Sequence, residues 1–297
     1  MEDESNWKHL AAHLTVVSFD ELPRSYKSSI WRFHPAEFIS IFRQCEWLSK
    51  ENLNDIYPDS LYNRNLTPDP SQLREKFRPH LNRAMRKYCI STTTRQAHFF
   101  GQGAIESAFL SLMIESSVNP SKNPEHASLK SEADGYYTSA SDQYFNKYDY
   151  RLGNVDIGDG IKFRGRGMKQ LTALENYSKY WVHRGWISRD SFSRKWWVDK
   201  SARTIGYKDL SQKSPVINDP QRLSIDEWNC IDAGAWYWEA GAARTGFNSI
   251  NTSIKENGVA ASDILVVTLA INGGTNGLTE REKQTQRISK VLMDQER

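Results

Sequence analysis

One stretch of the chain, Thr94 to Ser121, carries two glutamates, Glu106 and Glu115, nine residues apart. Its first half repeats apolar residues at helical spacing, with Thr94 as the predicted N-cap. These apolar residues are Ala97, Phe100, Ala104 and Ala108. A polar stripe on another side of the same helix leads to Glu106 and consists of Arg95, His98 and Gln102. We therefore predict a helix that packs against the core and carries Glu106 at its far end.

A straight helix through both glutamates would hold them about 13 Å apart along its axis and on roughly opposite sides. They would then face different parts of the molecule. From Phe109 onward the helical period is lost. We therefore predict that the helix ends close after Glu106 and that Glu115 folds back on a loop or short strand. Spacing alone also fits a purely structural interpretation, with Glu106 paired or solvated and Glu115 on the surface.

The composition is that of a chain able to bury a large core. With 297 residues and 38% hydrophobic content, it suits one large domain, or one domain plus an extension. A formal charge of +3 does not indicate nucleic-acid binding, although it is compatible with an anionic polymer as substrate. The sequence shows no apolar run long enough to span a membrane and no secretory signal at its start. We expect synthesis in the cytoplasm without a signal peptide, and no membrane insertion.

Local patterns divide the chain into an N-terminal extension or linker, residues 1–47, and a domain over residues 48–297. Ser49 is the predicted N-cap of a short helix ending before a proline, and a second helix is predicted from Ser71, with Pro79 kinking or splitting it. After Glu115, a segment rich in proline, serine and asparagine predicts a loop, followed by a helix near residues 141–147.

The segment from Tyr150 to Tyr177 contains five glycines close together, which indicates tight turns and close backbone approach. It lacks the phosphate-loop and dinucleotide signatures, so a nucleotide site is not expected. The run NVDIGDG lacks the final glutamate of a calcium loop, and the three cysteines lack metal-ligand spacing. We predict no metal and no cofactor.

Within this segment, FRGRGMKQLTALENY strongly resembles the YRGRG-x-x-QLTG-x-x-NY signature of glycoside hydrolase family 19, which includes plant-type chitinases and related bacterial and phage lysozymes. FFGQGAIESAF is similar to the FLAQ-x-x-HES-G-F segment of that family, and LAINGGTNGLTEREKQTQRI resembles its INGG-x-NGL-x-x-R segment. The resemblance covers roughly residues 48–297. The sequence departs from the family pattern at Ile105, Ala108 and Ala173, and none of these changes removes a carboxylate.

The resemblance implies a mainly α, lysozyme-like α+β fold with two lobes, a substrate cleft and a minor β-hairpin. It also implies inverting hydrolysis, in which a general acid and a general base stand roughly 6.5 to 9.5 Å apart. Glu106 matches the acid, and Glu115 matches the second glutamate of the endolysin-like branch. Residues 181–215, rich in tryptophan, form an insertion that either extends the groove or packs as structure.

Further site residues follow from the same resemblance. Six residues are candidates to bind the sugar, order the site or hold the attacking water: Arg164, Arg166, Gln170, Tyr177, Asn272 and Ser141. Each also has a structural interpretation. Arginines flanked by glycine often bind backbone carbonyls, and an asparagine before two glycines is often a turn residue.

The catalytic motif does not separate chitin from peptidoglycan, because both have β-1,4-linked N-acetylhexosamine backbones. Similarity to the phage and bacterial branch favours peptidoglycan glycan strands as the substrate. A chitinase and a non-catalytic wall-binding module remain alternatives. We expect action on the cell wall, either in the periplasm of a target cell or after phage-type release. Delivery as an antibacterial effector would involve secretion machinery and a cognate immunity protein.

Overall fold

The computed structural model describes residues 47–115, 145–198, 207–208, 211–240 and 249–295. The chain divides into two units, Met1–Cys45 and Glu46–Arg297, and all the described residues lie in the second. Of the predicted extension, only Trp47 is among the described residues. The domain boundary at residue 47 therefore stays a prediction.

The described residues form a mainly helical fold, which confirms the predicted fold class. A two-stranded antiparallel sheet pairs Trp197 with Lys208 and Val198 with Tyr207. In chain order the helices and strands are α1 Lys50–Ile56, α2 Pro70–Lys87, α3 Thr93–Glu106, α4 Asp159–Lys162, α5 Leu174–His183, β1 Trp197–Val198, β2 Tyr207–Lys208, α6 Arg222–Ile225, α7 Glu227–Glu239, α8 Ala261–Asn272 and α9 Leu278–Gln295. No helix among these described segments is both long and apolar enough to cross a membrane.

Two predictions concern the first two helices, namely the cap of α1 and the proline inside α2. Ser49 caps α1 as predicted, because its hydroxyl accepts the Asn52 N–H at 3.1 Å while the Asn52 side chain accepts the Ser49 N–H at 2.8 Å. Helix α2 runs as one element past Pro79, so of the predicted kink or split, the split does not occur and the kink stays a prediction. The proline ring is exposed, and the apolar face of α2 remains buried on both sides of it. This tertiary packing outweighs the hydrogen bond lost at the proline.

Helix α3 lies at the centre of the fold. Its N-cap is Thr92, whose hydroxyl accepts the Arg95 N–H at 3.2 Å, and not Thr94 as predicted. The apolar face predicted for the helix is buried in the core at Ala97, Phe100 and Ala104. The prediction is wrong for Ala108, which lies beyond the helix end and is only partly buried. A Cβ added at Gly101 would lie 2.1 Å from the Thr285 hydroxyl oxygen and 2.8 Å from the Thr285 Cα. Glycine at this position therefore allows α9 to pack directly on α3.

The helix ends at Glu106, which confirms the predicted break. Ser107 stabilises the end, because its hydroxyl donates to the Gly103 carbonyl at 2.7 Å and accepts the Leu110 N–H at 3.1 Å. The next three residues, 108 to 110, have φ values of 44°, 58° and 72°. This run of left-handed conformations reverses the chain direction before Glu115.

Most tryptophans of the 181–215 insertion pack in the protein interior. Trp181 is fully buried and meets the partly buried Trp186 edge-on, at a ring-centroid separation of 4.9 Å. Trp196 is buried in a second small cluster with Phe192, and its indole N–H donates to the Gly153 carbonyl at 3.2 Å. Their burial favours the structural alternative for these residues. Residues 199–206 and 209–210 lie outside the described residues.

A buried carboxylate, Asp232 on α7, links three helices. It accepts hydrogen bonds from Tyr180 at 2.6 Å, Lys87 at 2.8 Å and Tyr88 at 2.9 Å. Burial alone would raise the pKa of Asp232, but these hydrogen bonds outweigh burial and hold the pKa below its usual value. This network of hydrogen bonds connects α2 and α5 to α7.

Replacing Gly101 tests the packing of α3 against α9. We expect Gly101→Ala to lower the free energy of unfolding by about 1 to 3 kcal/mol, because the added methyl group meets backbone as well as side-chain atoms of Thr285. Gly274→Ala is the matched control, since a Cβ there meets nothing within 4 Å. Urea unfolding of both variants measures the difference. Equal midpoints would contradict the close contact.

Candidate active site

Glu106 forms an ion pair with Arg281. The last residue of α3 accepts a hydrogen bond from Nη2 of Arg281 at 2.6 Å on its Oε1 atom. The arginine side chain is 3% exposed and the glutamate side chain 15%, so the pair is largely shielded from water. A pair in such surroundings is held by stronger electrostatic interactions than one on the open surface. Arg281 thus fixes the carboxylate at the end of the central helix.

The guanidinium of Arg281 is itself held by two further contacts. Its Nη1 donates to Oε1 of Gln102 at 2.6 Å, and its Nε donates to the carbonyl of Asn276 at 3.0 Å. Gln102 in turn donates to the buried Thr268 hydroxyl at 3.0 Å. The polar stripe predicted on α3 therefore binds α8 and α9. The INGG-type segment lies beside Glu106, because a Cβ on Gly277 would be 3.1 Å from Ile105.

Glu115 folds back onto the Gly-rich segment, as predicted. Its backbone N–H donates to the Gly165 carbonyl at 2.8 Å, and the preceding residue, Ile114, pairs with Arg166 in an antiparallel bridge. The side chain is held at both oxygens. Oε1 accepts the Tyr148 hydroxyl at 2.8 Å, and Oε2 accepts the Gly165 N–H at 3.1 Å. This carboxylate is thus oriented by two donors.

Arg166 and Tyr177 have the contacts of positioning residues. Arg166 is buried, and its Nη1 donates to the Lys162 carbonyl at 2.8 Å and to the Tyr177 hydroxyl at 2.9 Å. The Tyr177 hydroxyl donates to the Arg164 carbonyl at 2.8 Å, and Tyr177 is fully buried. Arg164 is also fully buried, with its guanidinium 5.5 Å from the Phe145 ring centroid. These contacts favour ordering of the Gly-rich turn over direct contact with a ligand.

The remaining predicted residues are placed differently. Gln170 is half-buried, and its amide donates to the Gly167 carbonyl at 3.0 Å, within the turn that holds Glu115. Asn272 is the last residue of α8, and its Nδ2 is buried without a hydrogen-bond partner among the described residues. Ser141 lies outside the described residues. The predicted sugar-binding or positioning roles of Gln170 and Asn272, and the predicted water-holding role of Ser141, stay predictions.

Three residues of the site were not singled out from the sequence. They are Arg281, which holds Glu106, Tyr148, which holds Glu115, and Lys169, which is buried beneath α3. In the sequence, Arg281 could have been found from its place in the INGG-type motif. Lys169 could have been found from its place in the GRGMKQLT run. Tyr148 carried no motif signal, because it reaches Glu115 only through the folding of a separate segment.

The structure holds the two predicted carboxylates in different surroundings. Glu106 faces a guanidinium, whereas Glu115 faces a hydroxyl and a backbone N–H. Two carboxylates with different partners are the arrangement that general acid–base hydrolysis requires. The catalytic roles of Glu106 and Glu115 and the separation of their carboxyl groups stay predictions. Among the residues described here, His, Cys, Asp and Glu form no cluster of three that could hold a metal ion.

Comparison with known proteins gives one curated relative. A glycosyl hydrolase family 19 domain-containing protein of Haemophilus influenzae is 32% identical over 138 residues, which is 46% of this chain and 46% of the relative. The match thus spans a little less than half the length of that relative. It confirms the resemblance of the chain to glycoside hydrolase family 19. No family model matches the chain.

Two solved structures are also similar. Chitinase C from Streptomyces griseus HUT6037 has 16% sequence identity and a TM-score of 0.43, with 82% of this chain and 76% of that chain covered. A mutant of chitinase C has 15% identity and a TM-score of 0.40, with 82% and 92% covered.

Breaking the Glu106–Arg281 pair tests the central contact of the site. We expect Arg281→Met to lower the free energy of unfolding by about 3 kcal/mol or more, because it leaves a shielded carboxylate without its cation. In a Glu106→Gln background the loss should be smaller, with a coupling energy of about 1 to 3 kcal/mol. Urea unfolding of the four proteins closes this double-mutant cycle.

The control for this cycle is Arg222→Met, which removes an exposed ion pair with Asp219 and should cost less than about 1 kcal/mol. Additive effects of Arg281→Met and Glu106→Gln would show that the two side chains do not interact in solution.

Proposed function

We propose that the protein is a peptidoglycan hydrolase that cleaves the β-1,4 glycan backbone of the bacterial cell wall by an inverting mechanism. The observation that carries the proposal is the helix end at Glu106. It lets a second carboxylate, Glu115, return to the Gly-rich segment packed beside α3. The family resemblance supports glycoside hydrolysis as the reaction.

Glu106 is the general acid in this proposal. Arg281 holds its Oε1 atom, and Oε2 is the oxygen that would carry the proton to the leaving glycosidic oxygen. A neutral carboxyl group still accepts a hydrogen bond on its other oxygen, so protonation does not require Arg281 to move away. Arg281 therefore sets the direction in which the acid presents its proton.

Glu115 is the general base. Its two oxygens are oriented by Tyr148 and by the Gly165 N–H, and each carboxylate oxygen has a second lone pair to accept a proton from water. The inverting reaction requires a water between this carboxylate and the sugar, hence the separation of roughly 6.5 to 9.5 Å that such enzymes keep. Gln170, Asn272 and Ser141 are proposed to contact the glycan or the water.

We propose peptidoglycan rather than chitin as the substrate, because the motifs resemble the bacterial and phage branch of the family. Chitin hydrolysis is the second candidate, because the two polymers share the linkage that the carboxylates would act on. We place the action at the cell wall, with the protein delivered as an antibacterial effector or released as an endolysin. An effector would require a cognate immunity protein in the producing cell.

Mass spectrometry of digested sacculi tests the activity. The wild type should release muropeptide fragments with new reducing ends, and both Glu106→Gln and Glu115→Gln should lower the rate by about a hundredfold or more. Glu175→Gln is the matched control, because Glu175 pairs with Lys179 on the surface of α5 and should leave the rate unchanged.

The outcomes separate the candidates. Release of sugars from chitin oligomers with intact sacculi would assign a chitinase. Equal binding to sacculi by wild type and Glu106→Gln, without products from either, would assign a binding module. Full activity in both glutamate variants would overturn the mechanism.

Tyr148→Phe tests how Glu115 is held. Removal of one hydrogen bond to a charged group costs roughly 1.5 kcal/mol, so we expect a loss in kcat of about tenfold with a smaller change in KM. The Tyr150→Phe variant, in which a nearby tyrosine loses the same atom, is the control. A rate equal to the wild type would show that Tyr148 does not orient the base.

A further inference from the structure

A cavity of about 400 Å³ lies along helix α2, and none of its lining residues belongs to the site of the two glutamates. Its volume is within the range of ligand sites, roughly 300 to 1,000 Å³. The residues that line it are Trp47, Arg78, Pro79, Asn82, Arg83 and Arg86. Three arginines and a tryptophan thus place positive charge and a flat aromatic ring around one cavity.

The spacing of residues along α2 explains this lining. Arg78, Asn82 and Arg86 recur every four residues, which places them along one side of the helix. Pro79 and Arg83, also four residues apart, follow the next position around it. The apolar face of α2 is buried in the core, and Arg83 and Arg86 are exposed. The cavity therefore opens on the outer side of the helix.

Trp47 is held at the cavity by the residue that follows it. The Leu48 N–H donates to Oδ1 of Asn82 at 2.8 Å, and Nδ2 of Asn82 donates to the Leu48 carbonyl at 3.0 Å. Leu48 and Asn82 are both buried, so the backbone beside Trp47 is fixed on α2. Trp47 is nevertheless 53% exposed. A flat apolar ring with a polar edge is thus presented to solvent in a fixed place.

Two of the three arginines carry charge that no carboxylate balances. Arg78 is balanced, because its Nε and Nη2 donate to the two oxygens of Glu75 at 2.7 and 3.1 Å. Neither Arg83 nor Arg86 forms an ion pair with a carboxylate among the described residues. The Arg83 guanidinium lies over the Trp228 ring, 4.2 Å from its centroid, and this contact leaves the N–H donors at its edge free. The cavity therefore offers planar, charged donors that suit a carboxylate.

We propose that this cavity is an accessory site for a carboxylate-bearing glycan, namely peptidoglycan with its stem peptides. Arg83 and Arg86 bind a stem-peptide carboxylate, and the Trp47 ring packs on the face of an adjoining sugar. Chitin has the same linkage but no carboxylates, so it satisfies only the ring contact. The choice of peptidoglycan rests on the proposed function, whereas the requirement for a carboxylate rests on the two arginines.

Co-sedimentation with purified sacculi tests the proposal. The parent protein carries Glu106→Gln to prevent digestion, and hydrofluoric acid first removes phosphate-bearing polymers from the sacculi. We expect Arg83→Gln combined with Arg86→Gln to raise the apparent Kd by about tenfold or more, because both lost contacts are to a charged group. Trp47→Ala should raise it by about fivefold or more, because it removes an aromatic anchor.

The matched control is Arg64→Gln combined with Lys290→Gln. It removes two exposed positive charges outside the cavity and should leave the Kd within about twofold of the parent. Arg83→Lys combined with Arg86→Lys keeps the charge without the planar fork, so it should recover only part of the binding. Thermal unfolding checks that each variant is folded, and the exposed positions should leave the Tm nearly unchanged.

The ligand chemistry is tested on the polymer as well. Amidation of the carboxyl groups of the sacculi should remove the difference between the parent and the arginine variant. Chitin oligomers should bind both proteins equally. Stronger binding of chitin oligomers by the parent than by the arginine variant would overturn the requirement for a carboxylate.

Other occupants of the cavity give different results, and each would overturn the proposal. An equal loss of binding in the control variant, or displacement of the sacculi by double-stranded DNA, would show general attraction to polyanions. Loss of binding after hydrofluoric acid treatment would assign the cavity to phosphate polymers. A parent dimer that dissociates in Trp47→Ala, measured by analytical ultracentrifugation, would assign this surface to a second copy of the chain.

Binding and activity together separate this inference from the proposed function. An inactive wild type whose binding to sacculi still depends on Arg83 and Arg86 would remove the hydrolase assignment and keep the accessory site. Release of muropeptides by the wild type, with a Kd that is unchanged in the arginine variant, would keep the hydrolase assignment and overturn the accessory site.

Discussion

The ion pair between Arg281 and Glu106 is the contact on which the site depends. It joins the end of the central helix α3 to α9, and the same guanidinium binds Gln102 and the Asn276 carbonyl. Such a pair forms only if the two helices lie close together, which the glycine at position 101 allows. One cation thus couples the packing of the core to the direction of a carboxylate. Pairs of this kind contribute more to a defined geometry than to net stability, because both partners lose water.

The second carboxylate depends on the backbone rather than on an ion pair. The left-handed residues after Ser107 turn the chain, and Glu115 then joins the Gly-rich segment through the Gly165 carbonyl and N–H. A Cβ on Gly165 would lie 2.6 Å from Gln170 and 3.3 Å from the Cβ of Glu115, so this close approach requires glycine. Four residues after Gly165, the Lys169 side chain lies between α3 and α7. A single segment therefore contacts the surroundings of both glutamates.

The sequence predicted the features that arise from local patterns. The cap at Ser49, the buried face of α3 and the helix end at Glu106 follow from residue type and spacing, and the structure confirms them. Long-range packing decided the rest. Helix α2 continues past Pro79 because its apolar face stays buried. The N-cap of α3 is Thr92 rather than Thr94, and residue type alone does not choose among three consecutive threonines. Arg281 and Tyr148 reach the glutamates from distant segments, which spacing within one helix does not reveal.

The stereochemistry of the first product tests the central claim most directly, namely that two carboxylates flank one glycosidic bond with a water between them. Proton NMR of freshly cleaved glycan strands resolves the two anomers before they interconvert. The account predicts that the new reducing end appears first as the α-anomer, since the β-1,4 bond is inverted. Initial formation of the β-anomer would show retention of configuration and contradict a water held between Glu106 and Glu115.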